Sequence, residues 1–117
     1  MIEATCHCGA VRIEVPVAPD VVTSCNCSIC RRMGWLLAYY SPKQVTVQGE
    51  TDTYIWGDRM LYFHRCKVCG CGTHWSPTDP AHDRMGVNAR LMAPEVLAAA
   101  RVRRFDGADT WTVIDET

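Results

Sequence analysis

The chain has 117 residues, 48% hydrophobic and 21% charged, with 12 Lys and Arg against 13 Asp and Glu for a formal net charge of −1. Length and balance fit one globular domain over 1–117 with a packed core, and exclude a collagen, a coiled coil and a disordered tail. Near-neutral charge leaves no electrostatic footprint for nucleic acid or for an anionic membrane surface, and the pair Arg103 and Arg104 is too short to change that.

The start, Met1 to Cys6, has no basic region followed by a long apolar stretch, and no run approaches the roughly 18 apolar residues of a membrane span. The expectation is a soluble, cytoplasmic protein with no membrane partner, in which thiols stay reduced. Ala10 to Val15 then alternates apolar and polar with period two, a half-buried strand ended by Pro16 and the turn Pro19-Asp20. Val21-Val22 is a second short strand, Ser28 to Met33 one helical turn, and Trp35 to Ser41 a buried strand by its apolar and aromatic content. Gln44 to Gln48 alternates again and stops at Gly49. Thr53 to Trp56 and Leu61 to His64 are two further strands around the turn Gly57-Asp58, the second leading into Cys66. Thr73 to Trp75 is a return strand before the loop Ser76 to Pro80, and Met85 to Arg90 another strand, weakened by Gly86. Ala93 to Ala100, with Pro94 in the first turn and an alanine-rich body, is the one helix the pattern supports firmly. The fold class is mainly β, with one short C-terminal helix.

The eight cysteines fall into three clusters: Cys6 and Cys8; Cys25, Cys27 and Cys30; Cys66, Cys69 and Cys71. Spacings of two and three are metal-ligand spacings, because one ion about 2.3 Å from each sulfur needs two donors from one tight turn. Cys66-x-x-Cys69-Gly70 and Cys6-x-Cys8-Gly9 together offer four thiolates, enough for a closed tetrahedral zinc site. Cys25, Cys27 and Cys30 offer three and leave a fourth position open, the pattern of a catalytic zinc. A redox dithiol and an iron–sulfur cluster are the other chemistries that such cysteines allow. Cys71 reads either as a small buried hydrophobe or as a reserve fourth ligand for the open site.

Around the cysteines, Arg31 and Arg32 are placed to offset the negative charge of the open site or to hold a substrate carboxylate, and read equally well as solvated surface groups. His64 and His74 are candidate proton carriers, although a lone His on a strand is more often structural. His7 has no role. Trp35, Tyr39, Trp56 and Trp75 read as core, with Trp35 close enough to the open site to line a pocket.

As an ordered set, Cys6-x-Cys8-Gly9-Ala10-Val11, Cys25-x-Cys27-x-x-Cys30-Arg31, Gly49-Glu50 with Tyr54, and Cys66-x-x-Cys69-Gly70 resemble the glutathione-dependent formaldehyde-activating enzyme (GFA) family, whose domain also occurs in centromere protein V. The resemblance runs from Cys6 to about Asp106. It implies a complex β fold like that of methionine sulfoxide reductase B. It also implies two zinc ions per chain, a structural one on Cys6, Cys8, Cys66 and Cys69 and a catalytic one on Cys25, Cys27 and Cys30. The activity implied is that of a carbon–sulfur lyase joining a small thiol, glutathione, to an aldehyde, formaldehyde. The alternatives are a non-catalytic zinc-binding module for a protein or a small thiol, and a redox-sensing thiol switch at Cys27 and Cys30. Edge strands of a small β domain also leave room for a homodimer.

Overall fold

Short alternating or β-branched stretches, cut by Gly, Pro and Asp turns, dictate many short strands rather than a few long ones. A computed structural model describes residues 1–117. In chain order the strands are β1 (Ile2–Thr5), β2 (Arg12–Val15), β3 (Val21–Cys25), β4 (Leu37–Tyr40), β5 (Thr46–Gln48), β6 (Thr51–Tyr54), β7 (Leu61–Cys66), β8 (Gly72–Pro77), β9 (Met85–Asn88), β10 (Arg101–Phe105) and β11 (Val113–Glu116). The helices are α1 (Ser28–Met33), between β3 and β4, and α2 (Pro94–Ala99), between β9 and β10. The fold is thus mainly β as expected, but it holds two short helices rather than one. No helix is long and apolar enough to cross a membrane.

β1, β2 and β5 form a three-stranded antiparallel sheet with Ala4 opposite Ile13 and Ile13 opposite Val47. The other eight strands form a second sheet in the order β11-β10-β3-β4-β9-β8-β7-β6, in which only β3 and β10 run parallel. The period-two pattern decides what each face covers. Ala4, Val11, Ile13 and Val15 from the small sheet join Val22, Leu36, Ala38 and Val87 in the main core. Trp35 and Leu37, one position out of phase, join Phe63, Trp75 and Cys30 in a second cluster on the other side. The large sheet is therefore packed on both faces, and Cys30 belongs to the second one.

Two glycines seat the tryptophans of that cluster. A Cβ on Gly86 would fall inside the Trp75 indole, and one on Gly72 inside the Trp35 indole. Gly86 therefore makes room for a large aromatic across the β8–β9 pair, where Trp75 faces it. Three strands have no clear signature in the sequence: β1, β10 and β11. β10 carries three arginines and no alternation. It exists because it pairs in parallel with β3, placing Phe105 beside Cys25.

Candidate metal centres

β1 leads into Cys6, and the next turn closes with Gly9 N–H donating to the Cys6 carbonyl at 3.1 Å. β7 ends at Cys66, and the following turn closes in the same way, Gly70 N–H to the Cys66 carbonyl at 3.0 Å. These two knuckles, from different sheets, bring the sulfurs of Cys6, Cys8, Cys66 and Cys69 within 4.8 Å of one another. Cys8 Sγ lies 3.6 Å from Cys6 Sγ and 3.6 Å from Cys66 Sγ. Four sulfurs about 2.3 Å from a central zinc would be about 3.8 Å apart, so the spacing suits a tetrahedral ion. Backbone N–H groups also point at the sulfurs, Val11 to Cys6 at 3.2 Å, Ala10 to Cys8 at 3.4 Å and Val68 to Cys66 at 3.4 Å, which favours the thiolate form. The thiols share protons unevenly. N–H donation from Cys71, then from Cys8, pulls Cys69 down to about 5. Cys8 is pushed up to about 11: the Ala10 N–H opposes this, and burial together with the Cys66 and Cys6 sulfurs outweighs it.

The second cluster is built where β3 runs into α1. Cys25 is the last residue of β3, Cys27 caps α1 by accepting the Cys30 N–H at 3.5 Å, and Cys30 is buried in the first turn. Gly34, with φ 69°, ends the helix in the left-handed conformation that glycine tolerates. The three sulfurs lie within 4.8 Å of one another, and no other Cys, His, Asp or Glu joins them. A hydrogen bond from the Cys30 thiol, followed by N–H donation from Cys27 and Gly107, outweighs burial and pulls Cys25 down to about 5. The same Cys25 contact, with burial, drives Cys30 up. One of these thiols is thus readily a thiolate at neutral pH, the state a soft cation binds.

Gly107 reaches Cys25 closely enough that a Cβ on it would stand 2.5 Å from Cys25 Sγ. Asn26 holds this loop in place. It donates through Nδ2 to Asp106 Oδ1 at 3.1 Å and through its backbone N–H to the Phe105 carbonyl at 3.1 Å, and its Oδ1 accepts the Ala108 N–H at 3.0 Å. Asn26, Asp106 and Gly107 are site-building residues that the sequence reading missed. Nothing local in Asp106-Gly107 ties it to cysteines some 80 positions away.

Two recesses meet at Cys25 and Cys30. The larger, about 650 Å³, is lined by Cys25, Cys27 and Cys30 with Tyr39, Phe63 and Trp75 among its walls. The smaller, about 310 Å³, is lined by Cys25, Cys30, Trp35 and three arginines, Arg31, Arg90 and Arg104. Arg31 and Trp35 are where the sequence reading put them, and Arg90 and Arg104 are additions. Arg32 turns back to donate to the Ser28 carbonyl at 2.8 Å. Trp56 is not core: it is 39% exposed and lines the larger recess, as do Tyr39 and Trp75.

The remaining candidates fall elsewhere. Cys71 packs beside the first cluster, taking an N–H from His7, so it cannot be the fourth ligand of the central one. The reason is topological: Cys66 N–H donates to the Cys71 carbonyl at 2.9 Å, closing the knuckle around the first site. His64 and His74 stack on each other at 4.0 Å and line neither recess. His64 is held between the hydroxyls of Thr51 (2.8 Å) and Ser76 (2.7 Å), and His74 bonds the Thr73 hydroxyl at 2.8 Å. Burial keeps both rings neutral, pushing His74 down to about 3. They are structural residues rather than proton carriers for the cysteines.

Residues 1–106 match the family model described as "Glutathione-dependent formaldehyde-activating enzyme". The crystal structure of a Rhodobacter sphaeroides protein is similar at a TM-score of 0.69 and 32% identity, over 85% of this chain and 97% of that one.

Proposed function

The chain belongs to the glutathione-dependent formaldehyde-activating enzyme family, and from that premise we propose that it makes and breaks the carbon–sulfur adduct of a glutathione-like thiol and an aldehyde such as formaldehyde. Two zinc ions per chain serve this reading: a structural one on Cys6, Cys8, Cys66 and Cys69, and a catalytic one on Cys25, Cys27 and Cys30. The observation that carries it is the central cluster, three thiols without a fourth protein donor at the meeting point of two recesses. Both donor sets suit the ion, since they are all-sulfur and are approached by backbone N–H groups. When bound at the central cluster, zinc supplies Lewis acidity that brings the pKa of a substrate thiol towards neutrality.

The chain's own residues orient the partners. Arg31, Arg90 and Arg104 receive the carboxylates of the thiol carrier in the smaller recess. Tyr39 faces the cluster from the larger one, and burial raises its phenol pKa, so its hydroxyl stays protonated and donates to the carbonyl oxygen. The thiol proton leaves to solvent, the sulfur lone pair forms the C–S bond, and the C=O π pair moves to oxygen, which takes a proton from solvent. The lyase direction breaks that C–S bond, with no net oxidation either way. Cys27→Ser tests the reading. Zinc content should fall from about two to about one per chain and catalysed adduct formation should disappear; catalysis that survives with one zinc would refute it.

A further inference from the structure

Resting on the reading above, we propose that the site also takes bulky apolar aldehydes, and holds them more tightly than a one-carbon one, their hydrocarbon body filling the larger recess. Formaldehyde has about the bulk of a water molecule, which occupies roughly 30 Å³ of liquid. The recess holds about 650 Å³, and fourteen of its 21 lining residues are hydrophobic. Recesses of this size take ligands with many heavy atoms, bound mainly by apolar contact.

The distribution of charge divides the two recesses between the two partners. The larger has two arginines: Arg84 lies 3.9 Å over the Tyr39 ring, and Arg103 stands 3.7 Å from Glu116. The smaller gathers three arginines into half the volume: Arg104 pairs with Asp115 at 3.2 Å and Arg90 donates to the Gly34 carbonyl at 2.6 Å, while Arg31 makes no ion pair. Cys25 and Cys30 line both. An adduct with its sulfur at the cluster therefore lays a carboxylate-bearing thiol carrier on the arginine side and the carbon chain of the aldehyde on the aromatic side.

The mouth of the larger recess carries exposed apolar side chains beside Asp58, His82 and Arg84. Trp56 is 39% exposed, Met60 54% and Trp111 73%. Trp111 is held there against its backbone preference. It has φ 58°, a costly conformation for a bulky residue, fixed by its N–H on the Asp106 carbonyl at 2.8 Å and by edge-on packing against Phe105. Gly107, Trp111 and Val113 line this recess and lie beyond residues 1–106 that match the family. The step is the same addition, R–CHO with a thiol giving the hemithioacetal, with R an aromatic or alkyl group.

Calorimetric titration of the zinc-loaded full chain with glutathione, S-methylglutathione and S-hexylglutathione tests this, the thioethers standing for adducts of a one-carbon and a six-carbon aldehyde. S-hexylglutathione should bind at least about 30-fold tighter than S-methylglutathione, because five further methylenes leave water. In the double variant Trp56→Ala/Trp111→Ala the gap should shrink at least about fivefold, with the affinity for glutathione unchanged. Equal affinity of the two thioethers while glutathione binds would overturn the inference and leave the proposed activity standing. A gap that persists undiminished in the double variant would also overturn it, by placing the chain elsewhere. Failure of glutathione and both derivatives to bind would overturn the proposed activity, and the inference with it.

Discussion

Replacing Cys8 and Cys69 together by serine removes two of the four donors of the first cluster, and replacing Cys25 and Cys27 removes two of the three in the second. None of these four residues is buried, so neither pair opens a cavity in the core. The pairs differ in what they unclip. The first cluster joins the end of β1 to the end of β7, with Cys8 and Cys66 58 positions apart. The second closes a stretch of about five positions. An ion that clips a loop stabilises by limiting the unfolded chain, with a dependence of (3/2)RT ln n on loop length. The ratio of 58 to five gives about 2 kcal/mol, a sizeable part of the roughly 5–15 kcal/mol by which a domain is stable. Urea unfolding followed by circular dichroism in zinc-buffered solution should therefore show Cys8→Ser/Cys69→Ser losing about 2 kcal/mol more than Cys25→Ser/Cys27→Ser. Equal losses, or a larger loss for the central pair, would refute the reasoning that the first site is the clip between sheets.

Gly107→Val should push the loop off Cys25, because a Cβ there stands 2.5 Å from the sulfur. Elemental analysis should then find one zinc lost per chain while the urea midpoint changes little. Tyr39→Phe should leave metal content unchanged and slow catalysed adduct formation about 100-fold, as expected for loss of one donor to a developing oxyanion; stopped-flow measurement of adduct formation checks it. His74 gives a pH signature. Burial, with His64 beside it, lowers its folded pKa from 6.5 to about 3, so its contribution to stability is present above about 6.5 and is lost as pH falls towards 3. Relative to His74→Asn, the parent should lose about 1.4 kcal/mol more per pH unit across that window, measured by urea unfolding at several pH values.

Much of the site was legible because its ligands are local in sequence. Two sulfurs two or three positions apart must converge in a turn, so the spacing of Cys6 and Cys8, of Cys66 and Cys69, and of Cys25, Cys27 and Cys30 announced the knuckles before any fold was known. Alternation likewise marked β2, one face of which meets the core, and β5, which pairs with it. What stayed hidden is what pairing at long range creates. Nothing in Arg101 to Phe105 says strand until β3 lies beside it, and β11, wholly exposed, follows from β10. Gly86 looked like a weakness in β9 because the Trp75 indole that needs its missing side chain sits on another strand. Of the two readings of Cys71, the small hydrophobe packed on the core holds and the reserve ligand does not, because its backbone is occupied in closing the knuckle of the first site. Trp56 carried the composition of a core residue and stands at a mouth.

The most direct test of the central claim is the absorption spectrum of the chain loaded with cobalt(II) in place of zinc, recorded before and after glutathione is added. Seven cysteine sulfurs make up the two clusters, four in one and three in the other. If the three-sulfur site is open and takes a substrate thiolate, glutathione should bring an eighth sulfur, raising the sulfur-to-cobalt charge-transfer band by about one seventh, with a change confined to the central ion and absent in Cys27→Ser. A spectrum that glutathione leaves unchanged at two cobalt ions per chain would contradict the account, because the central position would then be closed to the thiol.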